Sequence, residues 1–193
     1  SILPGYYVIY KSLKKKHICY WKINNNKIKA NNLTEKSSIE KIQHKFIQSI
    51  DKHLISDREI GLFLSGGTDS TALAYLISQK INYNLKTYTY GFTNDKTFSE
   101  YKIAKTTAKK LNISNLAIDV KPRDVTDNME KLVNILESPF TSIRIFGIYK
   151  LYELVKKDGL KVILEGDGGD ELFGGYDYNF LFHALDKVKK NKN

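Results

Sequence analysis

The apolar residues of this chain follow two alternating patterns, which predict an ordered series of strands and helices. The run Ile60–Leu64 is apolar throughout, as in a strand that is buried on both faces of a sheet. Residues 85–91, 115–120 and 161–164 predict three further strands. Between them, apolar residues recur every three or four positions and predict helices from Thr71 onward and at residues 99–111, 124–136 and 145–155. Such alternation is typical of an α/β fold with a doubly wound parallel sheet.

Two shorter segments at the start of the chain predict a β-hairpin. The opening segment Leu3–Tyr10 alternates aromatic and aliphatic residues. Lys14–Lys16 is expected to form the turn, and the second strand is expected to end at Tyr20 and Trp21. The single cysteine, Cys19, lies in this second strand and is interpreted as a packing residue. One cysteine cannot form an internal disulfide.

Asparagine clusters at residues 24–26 and 31–32 predict a linker after the hairpin. We therefore expect residues 1–35 to form the hairpin and linker, and residues 36–193 to form the main domain. The first helix of the main domain is expected to be capped by Ser37 or Ser38. Its apolar stripe consists of Ile39, Ile42, Phe46, Ile47, Ile50 and Leu54. A last helix over residues 176–190 has as apolar positions Phe180, Leu181, Leu185 and Val188.

Composition narrows the class of protein. The 193 residues carry 31 basic and 21 acidic side chains, and a net charge of +10 is compatible with a polyanionic partner. Only Arg58, Arg123 and Arg144 are arginine, however, and specific phosphate and base recognition relies on the arginine fork. We therefore interpret the charge as a solvated lysine surface and expect no nucleic-acid partner. Because no apolar run approaches ~20 residues and no signal-peptide pattern is seen, we expect a cytoplasmic protein without a membrane partner.

A loop of small residues, Ser65–Ser70, joins the first strand of the sheet to its helix. Gly66 and Gly67 allow a sharp turn that brings backbone N–H groups towards an anion, and the positive end of the helix dipole adds to the attraction. The sequence therefore predicts a phosphate cradle at the carboxyl edge of the sheet. The loop lacks the lysine of a Walker-type loop, and its Asp69 would repel a phosphate unless a cation lay between them.

A second glycine-rich loop, residues 166–171, follows the last predicted strand and contains Asp167, Asp170 and Glu171. Because the carboxyl ends of parallel strands meet at one edge of a sheet, these carboxylates are expected to face the cradle. Carboxylate and phosphate oxygens are the ligands that Mg²⁺ prefers, and Asp69 and Asp170 are the pair that we expect to bind it. The alternative is that each acidic residue only caps a helix.

Both loops resemble the signatures of a known enzyme family. Ser65-Gly-Gly-Thr-Asp-Ser70 resembles the pyrophosphate loop of the N-type ATP pyrophosphatases. Gly166-Asp-Gly-Gly-Asp-Glu-Leu-Phe-Gly-Gly-Tyr176 resembles the second signature of the asparagine synthetase branch. The resemblance extends through Phe98-Ser99-Glu100 and Thr141-Ser-Ile-Arg144, so that it covers nearly the whole chain. It implies a fold of the adenine nucleotide alpha hydrolase type, also called the HUP type.

The resemblance also implies a reaction. ATP would activate the side-chain carboxylate of aspartate as an acyl-adenylate with release of pyrophosphate, and ammonia would then displace AMP to give asparagine. Pyrophosphate would be held by Ser65, Gly66, Gly67, Asp69 and Ser70. The adenosine would be flanked by Leu64 and Tyr90, with Glu165 and Gly166 beside its ribose or adenine. Mg²⁺ would be bound by Asp69 and Asp170, and Asp167 matches an acidic position tied to formation of the adenylate.

The chain departs from this family in three respects. It begins with Ser1, where the family's glutaminase has a cysteine nucleophile, so ammonia is expected from a glutaminase domain or subunit outside the chain. Residues 1–35 resemble only the end of such a domain. A further helical region with a catalytic lysine is expected to be missing after Asn193, which would leave the synthetase domain C-terminally incomplete. Glu165 stands where the family commonly has Ser or Thr. A homodimer is compatible with the sequence.

Other functions stay open at the level of the sequence. One is a nucleotide-binding module or component that keeps the cradle without catalysis. Another is a relative that acts on a different carboxylate, such as an enzyme that amidates a sugar, closes a lactam ring or cyclises a lasso peptide. A third is tRNA modification by adenylation of a base, which fits the positive charge, although the second signature and the single Cys19 argue against it.

Overall fold

The computed structural model describes residues 2–22, 34–80, 83–92 and 100–190. Two compact units make up the chain, Ser1–Lys45 and Phe46–Asn193. The predicted asparagine linker, the Phe98-Ser99 part of the resemblance and the last three residues lie outside the described residues. The predicted domain boundary after residue 35 stays a prediction.

The first unit contains an antiparallel hairpin of β1 (Tyr6–Lys11) and β2 (Lys14–Cys19), which confirms the predicted N-terminal hairpin. The predicted position of its turn is wrong. Ser12 and Leu13 form the turn with φ angles of 48° and 63°, and the three lysines expected there belong to β2. A two-residue turn with positive φ at both positions matches the twist of the flanking strands, and this match outweighs the polarity of the lysines.

The second strand also ends earlier than predicted. Its last residue is Cys19, so Tyr20 and Trp21 lie beyond it. Cys19 is exposed, which contradicts the packing role expected for it, and its thiol donates to the Trp21 carbonyl at 3.4 Å. Most side chains of both strands are exposed as well, because two strands by themselves offer little surface for burial.

Helix α1 (Glu35–His53) begins before the serines that were expected to cap it. The Ser37 backbone N–H donates to Thr34 Oγ1 at 3.3 Å, so Thr34 supplies the hydroxyl at the start of the helix, and Ser37 and Ser38 lie inside its first turn. The predicted stripe is only partly buried: Ile50 lies in a core with Phe46 and Leu54 beside it, and the exposed members are Ile39, Ile42 and Ile47.

The second unit is built on a four-stranded parallel sheet, which confirms the predicted fold class. Its strands are β3 (Ile60–Phe63), β4 (Lys86–Phe92), β5 (Ser114–Val120) and β6 (Val162–Leu164), in the order β5-β4-β3-β6. The chain moves outward from β3 to β4 and β5 and then crosses to the opposite side of β3 to form β6. In open α/β sheets, ligands bind beyond the strands where the order reverses, which here is between β3 and β6.

Apart from α6 (Gly169–Phe173), which was not predicted, the helices of the second unit agree with the predicted ones to within a few residues. Those that the structure describes after α1 are α2 (Thr68–Ser78), α3 (Glu100–Leu111), α4 (Pro122–Leu136), α5 (Arg144–Lys157), α6 (Gly169–Phe173) and α7 (Asp177–Lys190). Helix α4 begins two residues earlier than predicted, at Pro122, because proline is well tolerated in a first helical turn. The Asp124 carboxylate accepts a hydrogen bond from the Lys121 N–H at 2.8 Å and completes this end.

Helices cover both faces of the sheet, as a doubly wound fold requires. Leu62 and Leu64 share one core with Ile77 of α2, whereas Phe63 packs against the opposite core, which contains Leu151 of α5. Successive residues of a strand point to opposite faces, so burial on both sides explains the uninterrupted apolar run in β3. Helix α3 packs on the first of these cores, where Ala104 and Ala108 are buried and Leu111 packs beside them.

Helix α7 buries little of its apolar face. Its apolar residues, Phe180, Leu181, Leu185 and Val188, are between 47% and 70% exposed. The periodicity predicted the helix but not this exposure. Across the described ranges, no helix is long and apolar enough to cross a bilayer.

Candidate functional site

The first glycine-rich loop follows β3 and begins after Leu64. Both the backbone N–H and the carbonyl of Leu64 form hydrogen bonds with the neighbouring strand β4. The Leu64 N–H donates to the Tyr88 carbonyl at 2.9 Å, and Thr89 Oγ1 donates to the Leu64 carbonyl at 2.7 Å. Leu64 and Thr89 are both buried. The chain therefore departs from the carboxyl edge of the sheet at a fixed point and enters α2 four residues later, at Thr68.

Ser70, in the first turn of α2, holds this loop together. Its Oγ accepts a hydrogen bond from the Ser65 N–H at 3.2 Å and lies 3.0 Å from Ser65 Oγ. Ser65 Oγ in turn accepts from the Gly67 N–H at 3.2 Å. Because Ser70 is only 5% exposed, its hydroxyl organises the loop from within.

Gly66 adopts a φ of +89°, a region that residues with a side chain rarely enter. A Cβ at this position would lie 3.0 Å from the backbone nitrogen of Ala104 and 3.0 Å from Cγ2 of Ile103. The loop therefore packs directly on the first turns of α3. Glycine meets both requirements, of backbone conformation and of space.

The second glycine-rich loop touches the first. A Cβ on Gly166 would lie 3.1 Å from the Ser70 backbone nitrogen and 3.2 Å from Asp69 Cβ. A Cβ on Gly169 would overlap the Asp69 carboxylate itself. Two loops that are far apart in the sequence are thus in direct contact where the strand order reverses.

The two predicted metal-binding carboxylates both rest against glycines. Asp69 lies over Gly169, the first residue of α6, and the Asp170 carboxylate lies against Gly175, where a Cβ would overlap it. Each glycine leaves the space that its neighbouring carboxylate occupies. Their positions therefore depend on residues of the second loop and not only on the helix that carries Asp69.

A cavity of about 450 Å³ opens between the two loops, a size typical of small-molecule sites. All but one of the predicted site residues line it: Leu64, Ser65, Gly67, Asp69, Ser70, Tyr90, Glu165, Gly166, Asp167 and Asp170. The exception is Gly66, which lies outside the lining and packs on α3. The structure thus brings residues from the ends of three strands to one place.

The cavity wall also contains a cation that had no predicted role. Arg144, the first residue of α5, lines the cavity, and its Nη2 lies 3.6 Å from Oε1 of Glu100 at the start of α3. Glu100 lines the cavity as well. The resemblance covers both residues, but no local pattern brings them together, because α3 and α5 belong to different crossovers of the sheet.

Tyr90 forms a fixed part of the wall. Its ring lies against Gly147 of α5, where a Cβ would overlap it, and packs edge-on against Phe92 with 5.7 Å between ring centroids. Burial raises the pKa of the Tyr90 hydroxyl, and the positive charge of Arg144 opposes that rise. A glycine in a helix, which costs stability relative to alanine, here provides room for an aromatic side chain.

Tyrosines hold two carboxylates near the second loop. Tyr152 Oη donates to Glu165 Oε1 at 2.8 Å, and Tyr176 Oη donates to Glu171 Oε1 at 2.6 Å. The second bond raises the pKa of Tyr176 to about 12 and lowers that of Glu171. The expectation that Glu171 faces the cradle is wrong, because Glu171 lies outside the cavity lining and its bond serves the local structure, whereas Glu165 belongs to the cavity.

The donor chemistry of the cavity suits a hard cation, because Asp69 and Asp170 offer only oxygen atoms. In the part of the chain that the structure describes, however, no three His, Cys, Asp or Glu side chains are grouped so that they could hold a metal ion. A cation here would need further ligands from a bound substrate, which is usual for Mg²⁺.

The fold and the cavity define an α/β protein whose ligand site lies between two glycine-rich loops at the point where the strand order reverses. The asparagine synthase family profile matches residues 41–191, which is more than half of the chain. The chain therefore belongs to the asparagine synthase family, and the predicted family is confirmed.

Three similar proteins give the extent of the likeness. Asparagine synthetase [glutamine-hydrolyzing] 1 of Bacillus subtilis is 32% identical over 142 residues, which cover 74% of this chain and 22% of the relative. Amidase chyE of Penicillium rubens is 26% identical over 191 residues, covering 91% of this chain and 28% of the relative. The structure of the U34-tRNA thiolase NcsA from Methanococcus maripaludis shares the fold, with a TM-score of 0.53 and 18% identity, over 86% of this chain and 58% of that one. The chain thus spans less than a third of these two curated relatives.

Proposed function

We propose that this chain carries the nucleotide site of an ATP-dependent, amide-forming synthetase of the asparagine synthetase type. The aspartate side-chain carboxylate attacks the α-phosphorus of ATP, pyrophosphate leaves, and an acyl-adenylate forms. Ammonia then attacks the acyl carbon, AMP leaves, and asparagine is released. The proposal includes a glutaminase domain or subunit as the source of ammonia.

One observation carries the proposal: the cradle loop and the acidic loop meet in a single cavity, with the Asp69 carboxylate against Gly169. A cradle of backbone N–H groups alone would accept many anions. A carboxylate beside the cradle repels a bare phosphate, so its presence favours a polyphosphate that arrives with a divalent cation. Membership of the asparagine synthase family supports the same choice of substrate.

The cavity-lining residues take the following roles in the proposal. Pyrophosphate is held by Ser65, Gly67, Asp69 and Ser70, in a loop whose conformation Gly66 maintains. Leu64 and Tyr90 flank the adenosine, and Glu165 and Gly166 lie beside its sugar or base. Asp69 and Asp170 would hold Mg²⁺, which would neutralise phosphate oxygens. Asp167 assists formation of the adenylate.

Charge stabilisation is the main contribution of this chain to the first step. Negative charge grows on the leaving pyrophosphate, and the N-terminal end of α2 presents its dipole and N–H groups to that charge. Arg144 adds a full positive charge on the cavity wall. Because both are in place before substrate binds, little reorganisation is needed during the reaction.

The test is the exchange of labelled pyrophosphate into ATP. Formation of the adenylate is reversible, so the full-length protein, supplied with ATP, Mg²⁺ and labelled pyrophosphate, is expected to incorporate label into ATP only when aspartate is present. Asp69→Ala is expected to abolish the exchange. Asp57→Ala is the matched control, because Asp57 is an exposed carboxylate before β3 that lies outside the cavity lining.

Calorimetric titration with ATP separates the alternatives. ATP binding without exchange, after glutamate and other carboxylates have also been supplied, would identify a nucleotide-binding module. Exchange that depends on a carboxylate other than aspartate would retain the reaction class and change the substrate. Failure of the wild-type chain to bind ATP would refute the proposal as a whole.

A further inference from the structure

Glu165 occupies a defined position in the cavity wall. It directly follows β6, and its Oε1 accepts a hydrogen bond from the hydroxyl of Tyr152 on α5 at 2.8 Å. Tyr152 is itself held by Phe63, since the two rings pack edge-on with 5.1 Å between their centroids. Glu165 and Phe63 both line the cavity. A side chain that would otherwise sample several rotamers is therefore tethered beside the ligand site.

The register of the sheet gives the distance of Glu165 from the phosphate cradle. Strands β3 and β6 are neighbours, and Leu62 pairs with Leu164. Glu165 is consequently level with Phe63, two residues before the cradle begins at Ser65, on a strand about 4.8 Å away. The carboxylate lies next to the cradle without being part of it.

The chemistry of a carboxylate limits what it can bind at this place. Ionised, it accepts hydrogen bonds through about four lone-pair directions, and Tyr152 occupies one of them. It repels phosphate and attracts groups that donate hydrogen bonds. In a nucleotide whose phosphates lie in the cradle, the donors nearest to the phosphates are the ribose hydroxyls, whereas the amino group of adenine lies farther away.

We propose that Glu165 and Tyr152 form a ribose-recognition pair, in which the Glu165 carboxylate accepts a hydrogen bond from the 2′- or 3′-hydroxyl and Tyr152 is its positioning residue. This inference rests on the proposed binding of ATP. Burial, followed by the bond to Glu165, raises the pKa of Tyr152 to about 12, so its hydroxyl remains a donor throughout the neutral range. The pair gives this chain a sugar contact that a serine or threonine at position 165 would not make in the same way.

The experiment compares nucleotides by calorimetry with the complete 193-residue chain in the presence of Mg²⁺. One of the two deoxynucleotides, 2′-deoxyATP or 3′-deoxyATP, lacks the hydroxyl that bonds to Glu165 and so loses a hydrogen bond to a charged group. The wild type is expected to bind ATP about tenfold or more tightly than that deoxynucleotide. Glu165→Gln is expected to reduce this ratio to below about threefold, because a neutral acceptor discriminates less. Tyr152→Phe is expected to reduce it in part, because the carboxylate is intact but no longer tethered.

Tyr149→Phe is the matched control. Tyr149 lies on the same helix and donates to Glu153 at 2.7 Å, but neither residue lines the cavity. The control removes an equivalent tyrosine–glutamate bond and is expected to leave the ratio of ATP to deoxyATP affinity unchanged. A general loss of protein stability would weaken the binding of all nucleotides alike and would not change the ratio of their affinities.

The outcomes are distinct. Equal wild-type affinities for ATP and both deoxynucleotides would overturn the ribose contact while leaving ATP binding in place. Discrimination against ITP without discrimination against the deoxynucleotides would also overturn it, in favour of base recognition by this wall. If Tyr149→Phe also reduced the ratio of ATP to deoxyATP affinity, the effect would not be specific to Glu165. Absence of any ATP binding would instead remove the proposed function on which the pair rests.

Discussion

Gly66 is subject to both a conformational and a steric constraint, whereas Gly159 is subject only to the first. The φ of +89° at Gly66 disfavours a side chain, and a Cβ would also meet the backbone of Ala104 and the side chain of Ile103, each at 3.0 Å. Gly159, after α5, has a similar φ of +86°, but none of the described residues has an atom within 4 Å of the position of its Cβ. The two glycines therefore share the conformational constraint and differ in the steric one.

We expect Gly66→Ala to destabilise the protein more than Gly159→Ala. The left-handed conformation costs an alanine about 1–2 kcal/mol at either position. At position 66, the backbone of α3 must also move, which adds on the order of 1 kcal/mol or more. Urea denaturation of the two variants and the wild type measures the difference. Equal losses would show that the contact with α3 relaxes freely and that only φ matters.

At the scale of elements, a small polar cluster joins the end of α5 to β4. Asp158 is the residue after α5, and its Oδ2 accepts a hydrogen bond from the buried Tyr88 at 2.5 Å and lies 3.3 Å from Nζ of Lys86. The hydrogen bond from Tyr88, with the charge of Lys86, holds the pKa of Asp158 below its usual value. The ionised carboxylate is thus favoured in the folded protein.

This lowered pKa predicts the pH dependence of an Asp158→Asn variant. Because the pKa of Asp158 is lower folded than unfolded, its ionisation stabilises the fold above about pH 4, and this contribution is lost as the pH falls through the folded pKa. The difference in unfolding free energy between wild type and Asp158→Asn is therefore expected to be largest near neutral pH and to shrink in acid. Urea denaturation between pH 7 and pH 3 measures it. Asp127→Asn, at an exposed position of α4, controls for the loss of one charge. If the difference in unfolding free energy between wild type and Asp158→Asn did not change with pH, the lowered pKa of Asp158 would not be its cause.

At the scale of the whole molecule, the site depends on a contact between loops that follow the first and last strands of the sheet. Gly169 leaves the space that the Asp69 carboxylate occupies. In the described part of the chain, no atom lies within 4 Å of a Cβ placed on the adjacent Gly168. Gly168, with a φ of +92°, constrains only the backbone of its own loop. Gly168 therefore has a local role in backbone conformation, whereas Gly169 has a long-range role in the contact with Asp69.

We expect Gly169→Ala to weaken binding of ATP with Mg²⁺ by about tenfold or more, because the new methyl group displaces Asp69 from the cavity. Gly168→Ala is expected to lower stability through its φ and to retain affinity within a few-fold. Calorimetry gives both affinities, and thermal unfolding shows whether each variant is folded. Unchanged affinity in Gly169→Ala would mean that the contact between the loops is not needed for binding.

Much of the site was predictable because its elements are local. The strand, turn and helix around Ser65–Ser70 are encoded in adjacent residues, and the same holds for residues 166–171. Parallel strands then bring both loops to one edge of the sheet as a consequence of topology. The binding roles of these residues, the domain boundary, the cytoplasmic location and the homodimer remain predictions.

The remaining features depend on contacts between elements that no local pattern records. Arg144 meets Glu100, and Tyr152 meets Glu165, only because α5 packs beside the ends of other crossovers. Burial is similarly a property of the assembled layers, which is why Cys19 and the apolar residues of α7 are exposed although their patterns suit packing. Periodicity and the positions of glycine encode the order of the strands and the main helices, and the two loops, in local segments of the chain. The tertiary structure decided which side chains share the cavity wall, because that depends on distances between segments far apart along the chain.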